Sequence, residues 1–276
     1  MLTDKTHEKL LEFARSAKRI TLLTGAGISA ESGIPTFRGP EGYWTVGSRE
    51  YHPQEMATWR MFQGKPYEVW KWYLYRMGIC AGAEPNPGHL AAAAMEKAAP
   101  VRFTLITQNV DNLHLRAGSS LENTYQIHGN IFYTRCQAEC GYGVQPLPEG
   151  LTGKAKGETL GEEERSRLIC PRCGSLLRPH VLWFDETYNE THYRFNSSLS
   201  IANQTDLLIT VGTSGATNLP QQVAWLVHQN GGTLIDINLE RNPFSEIAEQ
   251  SPGGSFIEGA SAAILPEIAE IFSIEN

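Results

Sequence analysis

The stretch Arg19-Ile20-Thr21-Leu22-Leu23-Thr24 is a short apolar run that ends abruptly on Gly25-Ala26-Gly27. A run this short and this apolar reads as a buried strand, and a buried strand that stops on glycine turns sharply. Gly25-Ala26-Gly27-Ile28-Ser29-Ala30 fits the G-x-G-x-x-G/A pattern. In that pattern glycine lets the backbone approach a diphosphate, and the following helix offers unpaired N–H groups and its positive dipole end. A tight strand-to-helix turn with no ligand fits the same six residues. A dehydrogenase needs in addition an acidic residue that ends a second strand about 20 residues on. The window Tyr43-Trp44-Thr45-Val46-Gly47-Ser48-Arg49-Glu50 does not read as such a strand, which disfavours hydride transfer.

Further strands are expected at 101–107, 123–128, 178–184, 206–211, 232–237 and 256–258, with helices at 4–18, 89–98, 221–229 and the C-terminus. Strands that alternate with helices predict an α/β fold with a parallel sheet covered on both faces. Hydrophobic residues make up 41% of the 276, enough for a core and against disorder over most of the length. Residues 40–88 differ: Trp44, Trp59, Trp70 and Trp72 stand among Pro and Gly interruptions, which suggests a helical insertion.

In open parallel sheets, ligands bind beyond the carboxyl ends of the strands. The runs ending near 24, 107, 211 and 237 are followed by Gly25-Ala26-Gly27, Gln108-Asn109-Val110-Asp111-Asn112, Gly212-Thr213-Ser214 and Asn238-Leu239-Glu240. Each could be ordinary turn chemistry. Together at one edge they predict a polar crevice that suits a nucleotide, with Gly212 and Ser214 at phosphate or ribose and Asn238 and Glu240 at adenosine hydroxyls. His128 closes a strand and is followed by Gly129. It is a candidate proton acceptor, because an unperturbed imidazole titrates near neutrality.

The net charge is −7, from 23 basic and 30 acidic residues, which argues against broad nucleic-acid binding. The longest apolar run, 90–95, is too short for a membrane span. The first residues, MLTDKTHEKLLEF, carry no apolar signal core, so the expected location is cytoplasmic. Cytosolic thiols stay reduced, so the five cysteines are not expected as disulfides. Four of them fall as Cys136-x3-Cys140 and Cys170-x2-Cys173, with Pro171 and Gly174 making the second pair a metal knuckle. Four thiolates complete a closed, structural Zn²⁺ site. Glu162, Glu163 and Glu164 beside it argue against a nucleic-acid ribbon, and Cys80 stands apart as a small apolar residue.

These segments, in this order, resemble the sirtuin family of NAD-dependent protein lysine deacylases. The match comprises residues 25–39, 107–114, His128-Gly129, the paired cysteines, 181–186, 212–214 and 238–240. The resemblance implies a Rossmann-type parallel sheet domain (1–39, 89–130 and 178–276), a helical insertion at 40–88 and a zinc-binding module at 131–177. It implies that Gly25, Ala26, Gly27, Gly212, Ser214, Asn238 and Glu240 hold the ADP part of NAD. Phe37 and Arg38 would lie in a cofactor loop over the nicotinamide ribose. Gln108, Asn109 and Asp111 would hold that ribose and the nicotinamide amide, Asn109 and Asp111 also serving the chemistry. His128 would be the general base. Val181, Trp183 and Phe184 would line the acyl-lysine channel and pair with the peptide as a strand. The partners implied are acyl-lysine proteins or peptides, met by a monomer.

Tyr73 and Arg76, three apart, share one face of a predicted helix. They look like the Tyr-x-x-Arg motif of the sirtuin subgroup that removes malonyl, succinyl and glutaryl groups. A guanidinium pairs a carboxylate bidentately and a phenol adds a hydrogen bond. Ala30 would leave room for the longer acyl chain. Without the family, a solvated Arg beside a core Tyr explains the pair as well. A simple deacetylase and an NAD-dependent mono-ADP-ribosyltransferase are the competing activities. Two features depart from the family: the first cysteine pair has three intervening residues, and 215–218 is less apolar than expected.

Overall fold

The computed structural model describes residues 2–35, 44–46 and 48–274. Phe37 and Arg38, expected in the cofactor loop, lie outside the described residues. The strands among these are β1 (Ile20–Thr24), β2 (Trp44–Val46), β3 (Arg49–Tyr51), β4 (Phe103–Thr107), β5 (Thr124–Gln126) and β6 (Gly129–Cys136). They continue as β7 (Val144–Pro146), β8 (Leu177–Val181), β9 (Leu207–Val211), β10 (Thr233–Asn238) and β11 (Ser255–Glu258).

β1, β4 and β9 are buried at every residue. A strand buried on both faces needs no polar alternation, which is why these segments read as plain apolar runs. Six strands form one parallel sheet in the order β11-β10-β9-β1-β4-β5. Taken in chain order, that is the 3-2-1-4-5-6 arrangement of a Rossmann-type sheet. The order reverses between β1 and β9, the point at which open sheets of this kind bind their ligands.

Successive side chains along a strand point to opposite faces. Leu22 packs with Leu10, Met95, Phe103 and Leu265, beneath the helices Asp4–Ser16, Pro87–Ala98 and Ser261–Ile274. Leu23 packs on the other face with Leu208, Leu219, Val223 and Phe244, beneath Asn218–Gln229 and Pro243–Gln250. Beside this body stands a three-stranded antiparallel sheet, β7-β6-β8. The helices Pro53–Met56, Trp59–Gly64 and Pro66–Gly82 pack against it. One apolar cluster joins the two: Phe62, Trp70, Trp72 and Tyr73 of the helices meet Cys136, Leu177 and Trp183. Trp70 Nε1 donates to the Leu177 carbonyl at 2.9 Å, a long-range bond that ties helix to strand. Among the described residues, no helix is long and apolar enough to cross a membrane.

Three local expectations change. The segment 178–184 does not join the parallel sheet; it forms β8, antiparallel to β6, because Gly129 turns the chain directly after His128 and the new strand faces Val181. The stretch between the cysteine pairs is not all loop. It contains β7 and the helix Glu162–Arg167, whose first turn carries Glu162, Glu163 and Glu164 and whose last turn carries Arg165 and Arg167, the charge order a helix dipole favours. The glycine turn leads into a 3₁₀ helix, Ala26–Ser32, rather than an α-helix, and Gly33 ends it in the left-handed conformation.

The turns after β1 and β9 interlock. The Gly25 amide donates to the Val211 carbonyl at 3.0 Å and the Gly27 amide to the Gly212 carbonyl at 2.8 Å. A Cβ on Gly27 would lie 2.6 Å from Gly212 Cα, closer than any real contact. Gly27→Ala is therefore expected to lose roughly 1–3 kcal/mol in urea or thermal unfolding, the cost of forced overpacking. Gly64→Ala, where an added Cβ meets nothing within 4 Å, is the control and should be near neutral.

Candidate active site

The interlocked turns form the floor of a crevice at the carboxyl ends of β1, β4, β9 and β10. Gln108, directly after β4, spans it. Its Nε2 donates to Thr213 Oγ1 at 2.8 Å and to the Thr24 carbonyl at 3.3 Å, while its Oε1 accepts from Thr217 Oγ1 at 2.8 Å. Asn238, at the end of β10, donates to the Thr213 carbonyl at 2.8 Å. These bonds hold the loops after three strands in one arrangement. Ser214 and Glu240 are exposed on the same side, and Ala26 is half-buried.

A second polar group lies beneath the 3₁₀ helix. Asn109 Nδ2 donates to the Gly25 carbonyl at 3.1 Å and to Ser29 Oγ at 3.0 Å. Ser29 Oγ donates to Asp111 Oδ2 at 2.7 Å, and His89 Nε2 stands 3.3 Å from the same hydroxyl. Burial pushes the Asp111 carboxyl above its ordinary range, and burial draws the His89 imidazole down to about 4. Both groups are buried, so the cluster is a hydrogen-bonded platform beneath the 3₁₀ helix. Ser29 and His89 were not assigned a role from sequence. Their signal was faint: His89 reads only as the third residue of the helix begun by Asn86-Pro87, where Asn86 caps Gly88 and His89.

His128 lies between β5 and β6. Its Nδ1 is 3.0 Å from the Gln108 carbonyl and its Nε2 is 2.7 Å from the Tyr188 phenol. Burial draws its pKa down to about 4, with the Gln108 carbonyl acting in the opposite direction. The imidazole is thus neutral at physiological pH, the form that can accept a proton. Gln108 connects this histidine to the crevice floor through one residue.

The residues expected to meet an acyl-lysine divide. Val181 is buried at the end of β8, and Phe184 is 57% exposed. Trp183 is a core residue, not an open channel wall: its ring lies 5.1 Å from that of Phe62, and the Arg178 guanidinium sits 3.5 Å above it. The amides of Leu182, Trp183 and Phe184 donate to the His128 carbonyl, to Glu186 and to the Ala57 carbonyl. Those three N–H groups are already paired, so a bound peptide strand would have to use other backbone groups here. Tyr73 is buried, and its oxygen accepts from Trp183 Nε1 at 2.9 Å. Burial pushes its pKa up, so the phenol keeps its proton to donate. Arg76 is half-buried with its guanidinium 5.4 Å from the Trp72 ring centre. Cys80, further along the same helix, is buried, and burial pushes its thiol up to about 12. Ala30 is exposed near the end of the 3₁₀ helix.

Cys136, Cys140, Cys170 and Cys173 converge although they come from both ends of the small module. Their four sulfurs lie within 4.8 Å of one another. Cys136 and Cys173 are 3.4 Å apart, Cys140 and Cys170 3.7 Å, and none is in a disulfide. Tetrahedral zinc with bonds of about 2.3 Å needs sulfurs separated by about 3.8 Å. The donor set and spacing fit a closed structural Zn²⁺ site. The extra residue in the first pair is absorbed by Glu139, which adopts a left-handed conformation at φ 47°.

The Sir2 family model matches residues 25–218. An NAD-dependent protein deacylase of Leptospira interrogans is 40% identical over 252 residues, covering 91% of this chain and 92% of that protein. The chain belongs to the Sir2 family. Among solved structures, a Sir2 homolog–NAD complex superposes with a TM-score of 0.79 at 35% identity, covering 96% of this chain and 93% of that one. A Sir2 homologue mutant bound to 2′-O-acetyl ADP ribose gives 0.79 at 34% identity, with 98% of each chain covered.

For this Sir2-family chain the zinc assignment is directly measurable. Purified protein is expected to carry zinc near one equivalent per chain, released by a thiol-modifying mercurial and read with a colorimetric chelator. Cys170→Ala should lose that zinc and melt at lower temperature, since structural zinc binding is folding free energy. Retention of full zinc by the variant would contradict the four-sulfur site.

Proposed function

We propose that this Sir2-family chain is an NAD-dependent protein-lysine deacylase that accepts acidic acyl groups such as succinyl and malonyl. The observation that carries the reading is the interlocked Gly25–Gly27 and Gly212 floor tied through Gln108 to a neutral His128. NAD supplies an electrophilic ribose carbon with nicotinamide as leaving group.

Each part of the chain then has a task. The glycine turn and Gly212 admit the diphosphate close to backbone N–H groups, and Ser214, Asn238 and Glu240 take the adenosine side. Asn109 and Asp111 orient the nicotinamide ribose from the hydrogen-bonded platform below. The acyl oxygen of the modified lysine attacks the ribose carbon as nicotinamide leaves. His128 Nε2 then takes a proton from a ribose hydroxyl, so that the ribose oxygen can attack the acyl carbon. Water completes the exchange, giving free lysine and O-acyl-ADP-ribose. The cysteine-bound zinc braces the small module and takes no part. We place the enzyme in the cytoplasm, acting as a monomer on acylated proteins or peptides and not on nucleic acid.

The acidic-acyl preference rests on Tyr73 and Arg76. A neutral phenol and a permanently charged guanidinium on one helix face are the donors a carboxylate selects. Tyr73 is already bonded to Trp183 and Arg76 leans on Trp72, which favours a second reading, a simple deacetylase in which the pair is structural. Succinyl-, malonyl-, glutaryl- and acetyl-lysine peptides incubated with NAD separate the two. On the acidic-acyl reading, Arg76→Met lowers kcat/KM for succinyl-lysine by about 10- to 100-fold, the value of a charged hydrogen bond, and leaves acetyl-lysine nearly unchanged. An equal loss on both substrates, or no loss, would sink the carboxylate clamp.

A further inference from the structure

The loop after β8 carries a tyrosine to which the chemistry above gives no task. Tyr188 lies between β8 and the helix Glu190–Tyr193, sixty residues from His128 in the chain. Its oxygen is 2.7 Å from His128 Nε2, and the two rings are tilted with centroids 5.7 Å apart.

The direction of this bond follows from the other ring nitrogen. His128 Nδ1 is 3.0 Å from the Gln108 carbonyl. A carbonyl only accepts, so Nδ1 carries the proton and Nε2 presents a lone pair. The phenol is therefore the donor at Nε2. Burial pushes the Tyr188 pKa up, so the proton it donates is held at neutral pH. The phenol is itself fixed. Phe195 stacks on its ring at 6.3 Å, and Thr217, which donates to Gln108 Oε1, stands beside the hydroxyl. Burial and the Gln108 carbonyl act on the imidazole, and Tyr188 is the titratable side chain that faces it among the described residues.

Nε2 has one lone pair in the ring plane, and it is the atom that must take the ribose proton. Resting on the reading of His128 as the base, we propose that Tyr188 is a positioning residue for it: the phenol holds Nε2 with a hydrogen bond that the ribose hydroxyl replaces. One hydroxyl donor is exchanged for another at the same lone pair, and the imidazole keeps its tautomer and its plane throughout. The displaced phenol has Thr217 Oγ1 beside it as a new partner. A donor at Nε2 also favours the neutral ring, because it bonds to the form that lacks the extra proton. Removing the donor raises the pKa of the base, and an essential base with a raised pKa loses activity at higher pH on the acid side.

The test uses the full zinc-loaded chain with Tyr188→Phe, which keeps the ring and removes the hydroxyl. The acid limb of kcat/KM against pH is expected to move upward by about half to one pH unit, the effect of one neutral hydrogen bond. An acid limb unchanged in the folded variant overturns the proposal. A second readout needs no variant: the ¹⁵N resonance of His128 Nε2 in the wild-type chain, assigned with His128→Ala, should lie at the position of a hydrogen-bonded acceptor. A resonance at the free lone-pair position overturns the proposal as well. His128→Ala assayed in parallel separates this from failure of the base itself. Wild-type turnover by His128→Ala overturns the base reading and the proposal with it. An inactive His128→Ala with an unmoved Tyr188→Phe limb overturns Tyr188 alone.

Discussion

The close approach of two backbones at the centre of the sheet governs the rest of this molecule. Where β1 and β9 end, the amides of Gly25 and Gly27 donate to Val211 and Gly212, and no side chain fits between the two turns. These ends lie side by side because β1 and β9 pair in parallel with Thr24 opposite Val211, and the sheet order reverses between them. The result is a floor of bare backbone, flanked by the Thr213 and Asn238 loops, that a diphosphate can approach. Loops elsewhere on the edge are held to this floor by side-chain amides: Gln108, Asn109 and Asn238 each bridge two of them.

Gln108 joins the interlocked turns to His128. Its side chain is spent on Thr24, Thr213 and Thr217, while its carbonyl fixes the tautomer of His128. A ligand that shifts the Thr213 loop therefore bears on the residue that fixes His128. The small module reaches the same site by a different route. Its cysteine cluster anchors β6 and β8, β8 leads into Trp183, and Trp183 donates to Tyr73 on the long helix of the insertion. The insertion and the cysteine module thus share one core.

Much of this was legible from the chain. The buried strands declared themselves as apolar runs because both of their faces are covered. The four cysteines declared their cluster because metal ligands come in close pairs. The polar strand ends declared the crevice because ligands of open parallel sheets bind beyond the carboxyl ends of the strands. What stayed hidden depends on contacts distant in sequence. Tyr188 meets His128 from a loop sixty positions away, and nothing in Asp185-Glu186-Thr187-Tyr188 marks it. Ser29 and His89 belong to separate elements, and only folding brings them to Asp111. The segment 178–184 reads as a strand of the larger sheet but pairs with β6, because local composition shows that a strand exists, not which neighbour it pairs with. The family resemblance implies a channel role for Trp183, yet Phe62 and Arg178 enclose its ring.

On the proposed mechanism, the acyl group leaves lysine by transfer to the ribose of NAD. The most direct test is the product balance from one acyl-lysine peptide, read by mass spectrometry. The account predicts nicotinamide, deacylated peptide and O-acyl-ADP-ribose in equal amounts. Deacylation without nicotinamide release, or ADP-ribose attached to protein while the acyl group stays on lysine, would contradict it.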